Sequence, residues 1–328
     1  MHSAGTAEVS ICEVGPRDGL QNEPEVVPTA AKRELIQRLA AAGLRQIEVT
    51  SFVSPQWIPQ LADAEELVRE LPRLVDVRYS ALVPNERGYE RFRKAALAAN
   101  RHDLSVHPDE KGVLDIAALF VSASETHNKK NVNCSIAESL ARFRPVIERA
   151  RVDGVSLRAY VSTACGCPYE GEVSVRNVVK LVQQLAELGV AVISLGDTIG
   201  VGHPRQVCEL VAAVAGEVSL DRIALHLHDT YGRALANVQA GFEAGVRTFD
   251  AALGGLGGCP YAPGASGNVA TEDVADLFES AGVATGIALE ALVDTTNWLA
   301  RDVLKRALPG RVYRARLGAR KQNEAKAT

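Results

Sequence analysis

Eight times along the chain, a short run of β-branched and small residues gives way to a longer stretch whose apolar residues fall at helical spacing. The extended runs are SICEV (10–14), QIEVTS (46–51), VRYSALV (77–83), IAALFVSAS (116–124), VSLRAYVSTA (155–164), AVISLGD (191–197), RIALHLHD (222–229) and TFDAAL (248–253). Between them, Leu35, Ile36 and Leu39 share one helical face. So do Val178, Leu181, Val182, Leu185 and Leu188, and then Val207, Leu210, Val211 and Val214. Gly43, Gly189 and Gly245 stand just past such stretches, where a helix ends on a left-handed residue. Strands that alternate with helices pair in parallel through crossover connections. An open doubly wound sheet is the competing arrangement, but no GxGxxG follows the first strand and the eight units leave no remainder. The expected fold is therefore α/β, a (β/α)8 TIM barrel with an additional C-terminal helical segment. We expect one catalytic domain over 1–328, with the barrel at about 8–285 and the helical segment and tail at about 286–328. The extra helix itself, at about 287–306, would pack outside the barrel.

Two stretches fit this scheme badly. Pro145 lies inside the helical run 137–151. In a helix interior it removes a hydrogen bond and costs about 3 kcal/mol, so that helix should kink or start later. RHDLSVHPDEKGV (101–113) is polar and unpatterned, and reads as a long loop ahead of the fourth strand, on the bottom face of the barrel.

Composition narrows the partners. The net charge of −4, without a long basic block, argues against a nucleic-acid partner. The closing RVYRARLGARKQNEAKAT is locally basic with few apolar anchors, and reads as a frayed, solvated tail. No apolar run reaches the ~18 residues of a membrane span, and the first residues lack the basic and apolar regions of a signal peptide. Six cysteines without dense pairing suit free thiols in a reducing compartment. A cytoplasmic protein with no membrane partner is expected.

In such a barrel the reacting groups come from the C-terminal ends of the strands and the loops that follow. Polar residues and glycines concentrate there: EVGPRDGLQNE (13–23), EVTSFVSP (48–55), STACGCPYEGE (162–172), LGDTIG (195–200), HLHDTYG (226–232) and LGGLGGCPYAPGASGN (253–268). His226 and His228, two apart on a strand, project to the same side. Two imidazoles suit a divalent cation, with a carboxylate and an amide or water to complete its shell. Asp18 on the first loop neighbours the eighth strand once the barrel closes, and Asn268 follows that strand. The alternative is one buried, hydrogen-bonded histidine and one that caps a loop. Oxygen-rich partners favour Mg²⁺ or Mn²⁺ over Zn²⁺. Arg17 is permanently cationic and suits a developing enolate or carboxylate, while Asp18 could bind metal or move a proton. PRDG alone would also make an ordinary surface turn. GCPYEG (166–171) and GCPYAPG (258–264) echo each other, so Cys167 and Cys259 both compete as a reactive thiol. Cys259 is favoured because its flanking glycines let a loop close over bound substrate. Cys12 and Cys208 read as packing residues.

Taken together, EVGPRDGLQNE, TSFVSP, KKNVNCS, GCPYEG, SLGDTIGVG, HLHDTYGRALAN and GLGGCPYAPGASGNVATED resemble the 3-hydroxy-3-methylglutaryl-CoA (HMG-CoA) lyase family, metal-dependent carbon–carbon lyases on TIM barrels. The resemblance runs from about residue 8 to about residue 305. It implies a cation held by Asp18, His226, His228 and Asn268, with Arg17 stabilising the enolate of the departing acetyl-CoA and Cys259 acting as an acid on a mobile loop. It also implies that Gln21, Glu48, Tyr160, Asp197 and Glu272 contact substrate or support the site. Asn128, Lys129, Lys130 and Asn131 would lie in the loop after the fourth strand, where the CoA phosphates pass. The implied partner is an acyl-CoA substrate, the setting leucine degradation and ketone-body formation, and the assembly a homo-oligomer, dimer or tetramer. The chain departs from the family in a longer segment between Asn85 and Phe120, and in His127 and Asn128, where small or apolar residues are usual.

The chemistry suits these residues. Cleaving a 3-hydroxyacyl thioester between C2 and C3 needs a base for the hydroxyl proton, a partner for the enolate and a proton for C2. A metal on the hydroxyl and carbonyl oxygens acidifies the hydroxyl. Asp18 or His226 would take the proton, Arg17 would face the enolate oxygen, and Cys259 would protonate carbon. The products expected from HMG-CoA are acetoacetate and acetyl-CoA. A related thioester, citramalyl-CoA or a longer branched 3-hydroxyglutaryl-CoA, would use the same chelate. A barrel that only binds is the non-catalytic alternative.

Overall fold

The computed structural model describes residues 9–99, 112–258 and 267–327. Its strands are β1 (Ser10–Glu13), β2 (Gln46–Ser51), β3 (Arg78–Leu82), β4 (Leu114–Ser122), β5 (Ser156–Ser162), β6 (Val192–Asp197), β7 (Ile223–Leu227) and β8 (Thr248–Ala251). They pair in chain order, all parallel, and β8 closes on β1. The expected barrel is present, with the fourth strand starting at Leu114 rather than residue 116. Outside it lie α1 (Thr29–Ala41), α2 (Ala64–Glu70), α3 (Glu86–Ala99), α4 (Glu125–Val132), α5 (Ile136–Val152), α6 (Val175–Glu187), α7 (Pro204–Val214) and α8 (Ala234–Glu243). After the last strand come α9 (Thr271–Ser280), α10 (Leu289–Trp298) and α11 (Arg311–Ala327). Among the described residues no helix is long and apolar enough to cross a membrane.

The helical faces read from the sequence are the buried ones: Leu35, Ile36 and Leu39 on α1, Val178, Leu181, Val182 and Leu185 on α6, and Val207, Leu210, Val211 and Val214 on α7. Each such side chain contributes about 1.5–3 kcal/mol by leaving water. Leu188 is only half-buried, because α6 ends at Glu187 and Leu188 caps it. Gly43, Gly189 and Gly245 have φ of 103°, 93° and 102°, the left-handed helix ends that their positions predicted.

Three expectations change. Pro145 neither delays nor ends its helix: α5 starts at Ile136 under a capping box made by Ser135 and Glu138, and runs on to Val152. The cap, and the burial of Phe143, Val146 and Ile147, offset the hydrogen bond lost at proline. The stretch after β4 is not a loop but α4, capped by Ser124, whose Oγ accepts from His127 N at 3.1 Å. ETHNKKNV has no apolar period, so the cap and not a hydrophobic face makes this helix. The expected frayed tail is instead α11. Arg311 N and Val312 N donate to Asp273 at its start, Tyr313 is buried, and Arg316 and Arg320 pair with Asp276, Glu290 and Asp294. The loop expected at 101–113 lies outside the described residues up to residue 111.

Candidate active site

Immediately after β1 the backbone makes one π turn, Gly15–Gly19, in which the N–H groups of Arg17, Asp18 and Gly19 all point to Val14 O at 3.1, 2.7 and 3.3 Å. The turn is tied down by Glu13. Its carboxylate accepts from Gly15 N (2.7 Å), Leu253 N (2.9 Å) and Thr271 Oγ1 (2.6 Å), joining the first loop to the eighth. Burial pushes this carboxyl up to about 7 despite those three bonds. A side chain at position 15 would put its Cβ 2.5 Å from Glu13 Oε1, so the carboxylate would have to leave this position to make room.

The turn carries Arg17 and Asp18 into the barrel mouth. Arg17 is buried, and its Nε donates to Glu48 Oε2 at 2.6 Å. Its Nη1 binds Asp18, and its guanidinium carbon lies 5.2 Å from the centre of the Tyr160 ring. Tyr160 Oη donates to the same Glu48 oxygen at 3.1 Å. The guanidinium is thus held between two carboxylates and an aromatic face.

Asp18, His226 and His228 bring one ligand atom each within 4.8 Å of one another. The two histidine Nε2 atoms are 3.2 Å apart, and His226 Nε2 is 3.9 Å from Asp18 Oδ2. Asn268 bridges to His228 through backbone and donates Nδ2 to Asp18 Oδ2 at 2.8 Å, while its Oδ1 is buried without a partner. Burial opposes ionisation of Asp18, but Arg17, the two histidines and the Asn268 amide overcome it and hold the carboxyl at about 2. Burial, then its neighbour His226, brings His228 down to about 4, so it stays neutral near pH 7. Two imidazole rings, an ionised carboxylate and an unpartnered amide oxygen fit a divalent cation.

Sequence reasoning missed the residues beneath. His226 Nδ1 lies 3.4 Å from Asp250 Oδ2, and Asp250 is gripped by Arg158 and by Ser194 Oγ at 2.6 Å. His226 and Asp250 are register partners on β7 and β8. The available signal was a charged residue inside an otherwise apolar strand: Arg158 in VSLRAYVSTA and Asp250 in TFDAAL. Side chains alternate across a sheet, so such residues must face the barrel axis or meet the helices.

A cavity of about 650 Å³ opens over this floor, and Arg17, Asp18, Gln21, Asn131, Tyr160, His226 and His228 are on its wall. Glu48 sits behind Arg17. Other expected positions are elsewhere. Asp197 caps the loop after β6, accepting from Val201 N at 3.1 Å and Gly202 N at 2.9 Å, and burial raises it to about 6. Glu272 accepts from Gly254 N at 2.9 Å beneath the cysteine loop, and burial raises it to about 8. Asn128 is fully buried: it accepts from Ser122 N (3.0 Å) and donates to Cys134 O (2.9 Å) and Ser139 Oγ (2.8 Å), so its side chain holds α4 in place. Lys129 and Lys130 are exposed and off the cavity wall, with the Lys130 ammonium 4.6 Å over the Tyr169 ring. Cys167 is buried, and its sulfur is engaged by Ser124 Oγ at 3.1 Å and by two backbone N–H groups. Cys259 lies outside the described residues. The stems of its loop touch, since a Cβ on Gly267 would fall 2.8 Å from the Gly257 carbonyl carbon, and Gly258 is on the cavity wall.

Comparison with known proteins agrees with this fold. The HMGL-like family model matches residues 8–299. The chain belongs to the HMGL-like family. Its relatives include the mitochondrial hydroxymethylglutaryl-CoA lyase of Gallus gallus, 46% identical over 298 residues, covering 91% of this chain and 94% of that one. A crystal structure of hydroxymethylglutaryl-CoA lyase from Pseudomonas aeruginosa aligns with TM-score 0.88 and 42% identity, over 95% of this chain and 98% of the other. An HMG-CoA lyase from Acinetobacter baumannii, solved with coenzyme A and 3-methylmalate, aligns with TM-score 0.86 and 39% identity over 96% and 97% of the two chains. In this HMGL-like barrel, Asp18, His226, His228 and Asn268 come from the loops and strand ends of three neighbouring strands: β7, β8 and β1.

Proposed function

We propose that the protein is a carbon–carbon lyase that cleaves HMG-CoA to acetoacetate and acetyl-CoA. The observation that carries this reading is the meeting of Asp18, His226, His228 and Asn268 beside Arg17 at the barrel mouth of an HMGL-like chain. Mg²⁺ or Mn²⁺ held by those four residues would supply Lewis acidity to the substrate's hydroxyl and carbonyl oxygens. Arg17 meets the enolate oxygen. Its Nε and Nη1 are already committed to Glu48 and Asp18, and its Nη2 has no partner among the described residues. The guanidinium therefore needs no reorganisation as charge develops. His226 would help hold the cation and its Nδ1 lies toward Asp250, so it would have no lone pair for the hydroxyl proton. Asp18 has one carboxylate oxygen on Arg17 and the other on Asn268, each with a lone pair to spare, and we assign it as the acceptor of the hydroxyl proton. Its low basicity then demands the acidified hydroxyl. Cys259 supplies the proton to C2 from the loop that Gly257 and Gly267 pinch at its base. The chain works as one catalytic domain within a cytoplasmic homo-oligomer.

The test is acetyl-CoA release from a panel of 3-hydroxyacyl-CoA thioesters after chelation and readdition of Mg²⁺ or Mn²⁺. HMG-CoA should turn over fastest, and only with metal restored. A second reading is a related, shorter branched thioester such as citramalyl-CoA, and what supports it is that the Acinetobacter baumannii relative was solved with 3-methylmalate, an isomer of the citramalyl acid. It replaces the first if HMG-CoA yields nothing while that thioester is cleaved. A metal-loaded protein inert to every thioester would leave only a binding barrel.

A further inference from the structure

We infer that Arg142 anchors the phosphates of the CoA handle, across the mouth from the reacting atoms; the inference rests on the acyl-CoA reading above. In a closed ring of eight strands β4 stands opposite β8, so the α4–α5 edge that follows β4 faces the Asp18, His226 and His228 cluster from the far side. Arg142, on α5, reaches the cavity wall there beside Asn131 and Asn133. Apolar wall, including Val53, Trp57, Phe120 and Phe143, is shared by the same cavity. A polar reacting head, a thin linker and an anionic tail fit that sequence of surfaces.

Charge singles out the residue. The cavity wall carries two arginines, and Arg17 is committed to Glu48 and Asp18. Arg142 makes no ion pair among the described residues. Glu138, one helical turn before it, gives its carboxylate to Ser135 N and Oγ at 2.7 and 2.8 Å. His127 also borders the cavity, but burial lowers its pKa and keeps the ring neutral. A planar guanidinium is the side chain best shaped for a phosphate. The lysines expected from the sequence do not reach this wall.

The experiment compares one acyl group on CoA, on dephospho-CoA and on pantetheine, with wild-type enzyme and Arg142→Ala. On the CoA thioester, KM should rise about tenfold with kcat within about twofold, and Arg142→Lys should recover part of the loss. On the pantetheine thioester, the two proteins should have the same kcat/KM. If the penalty vanishes already with dephospho-CoA, the 3′-phosphate is the contact; if it vanishes only with pantetheine, the diphosphate is. An equal loss on all three thioesters overturns the inference, as does an unchanged KM on the CoA thioester. Calorimetric binding of free CoA and free pantetheine reads the same contrast without turnover. Failure of the lyase reading therefore shows as absent product, and failure of this inference as CoA affinity indifferent to Arg142.

Discussion

Arg158 inside the barrel and Arg316 on the outer helix both bind carboxylates, and only their surroundings differ. The side chains of Arg158 and Asp250 are 3% and 0% exposed, whereas Arg316, Asp276 and Glu290 are 39%, 38% and 57% exposed. In the interior neither charge can return to water, so each is stable only through the other. Burying such a pair adds little net stability over an apolar pair of the same size. Its value here is positional, because it fixes Asp250 behind His226. On the surface, water screens each pair and the pairs act together: Arg316 and Arg320 on α11 face Glu290 and Asp294 on α10, a ladder of charges where an apolar face is missing. Like chemistry therefore builds a site in one place and docks a helix in the other.

The comparison can be broken most easily at Arg158. Arg158→Met leaves Asp250 buried without its arginine, with only Ser194 Oγ and His226 beside it, and should cost about 3–5 kcal/mol in denaturant melts. Adding Asp250→Leu should recover most of that loss, and a double-mutant cycle without coupling would refute the pairing argument. Arg17 is similarly held but faces the cavity. Arg17→Met should lower kcat by about 10²–10³, the scale of losing one preorganised donor, with metal content by elemental analysis unchanged. Buried carboxyls without an arginine sharpen the contrast. Glu13 at about 7 and Glu272 at about 8 bind protons more tightly in the folded chain than their usual 4.5. The sign follows: their protonated forms favour folding, and stability falls as pH rises from about 4.5 toward 8. Glu272→Gln keeps an acceptor for Gly254 N–H and removes one titration, so its melting temperature should depend less on pH across that window. An unchanged slope would show that Glu272 is ionised throughout. Smallest of all, Arg316→Ala should cost about 0.5 kcal/mol, a loss that high salt abolishes. A salt-independent loss as large as that at Arg158 would erase the distinction.

What could be read in advance tracks the physics of each element. The strands and the faces of α1, α6 and α7 follow from periods of two and 3.6, which are local and need no partner. His226 on β7 and His228, one residue past its end and still extended in a bridge to Asn268, follow the same alternation. α4 and α11 have no apolar period: one is made by the Ser124 cap, the other by carboxylates on α9 and α10. Arg158, Ser194 and Asp250 were visible only as polar residues in apolar strands, with nothing local to say which met which.

By itself, then, the sequence determined the repeating units, their handed closure into a ring, and which loops gather at its active end, because these depend on side-chain periodicity and chain direction. Only the tertiary structure decided that Asp250 stands behind His226, that Asn128 is spent on packing, and that Arg142 rather than Lys129 or Lys130 reaches the cavity. Those outcomes depend on which side chains of different strands and helices meet, and such contacts exist only once the elements have packed into the barrel.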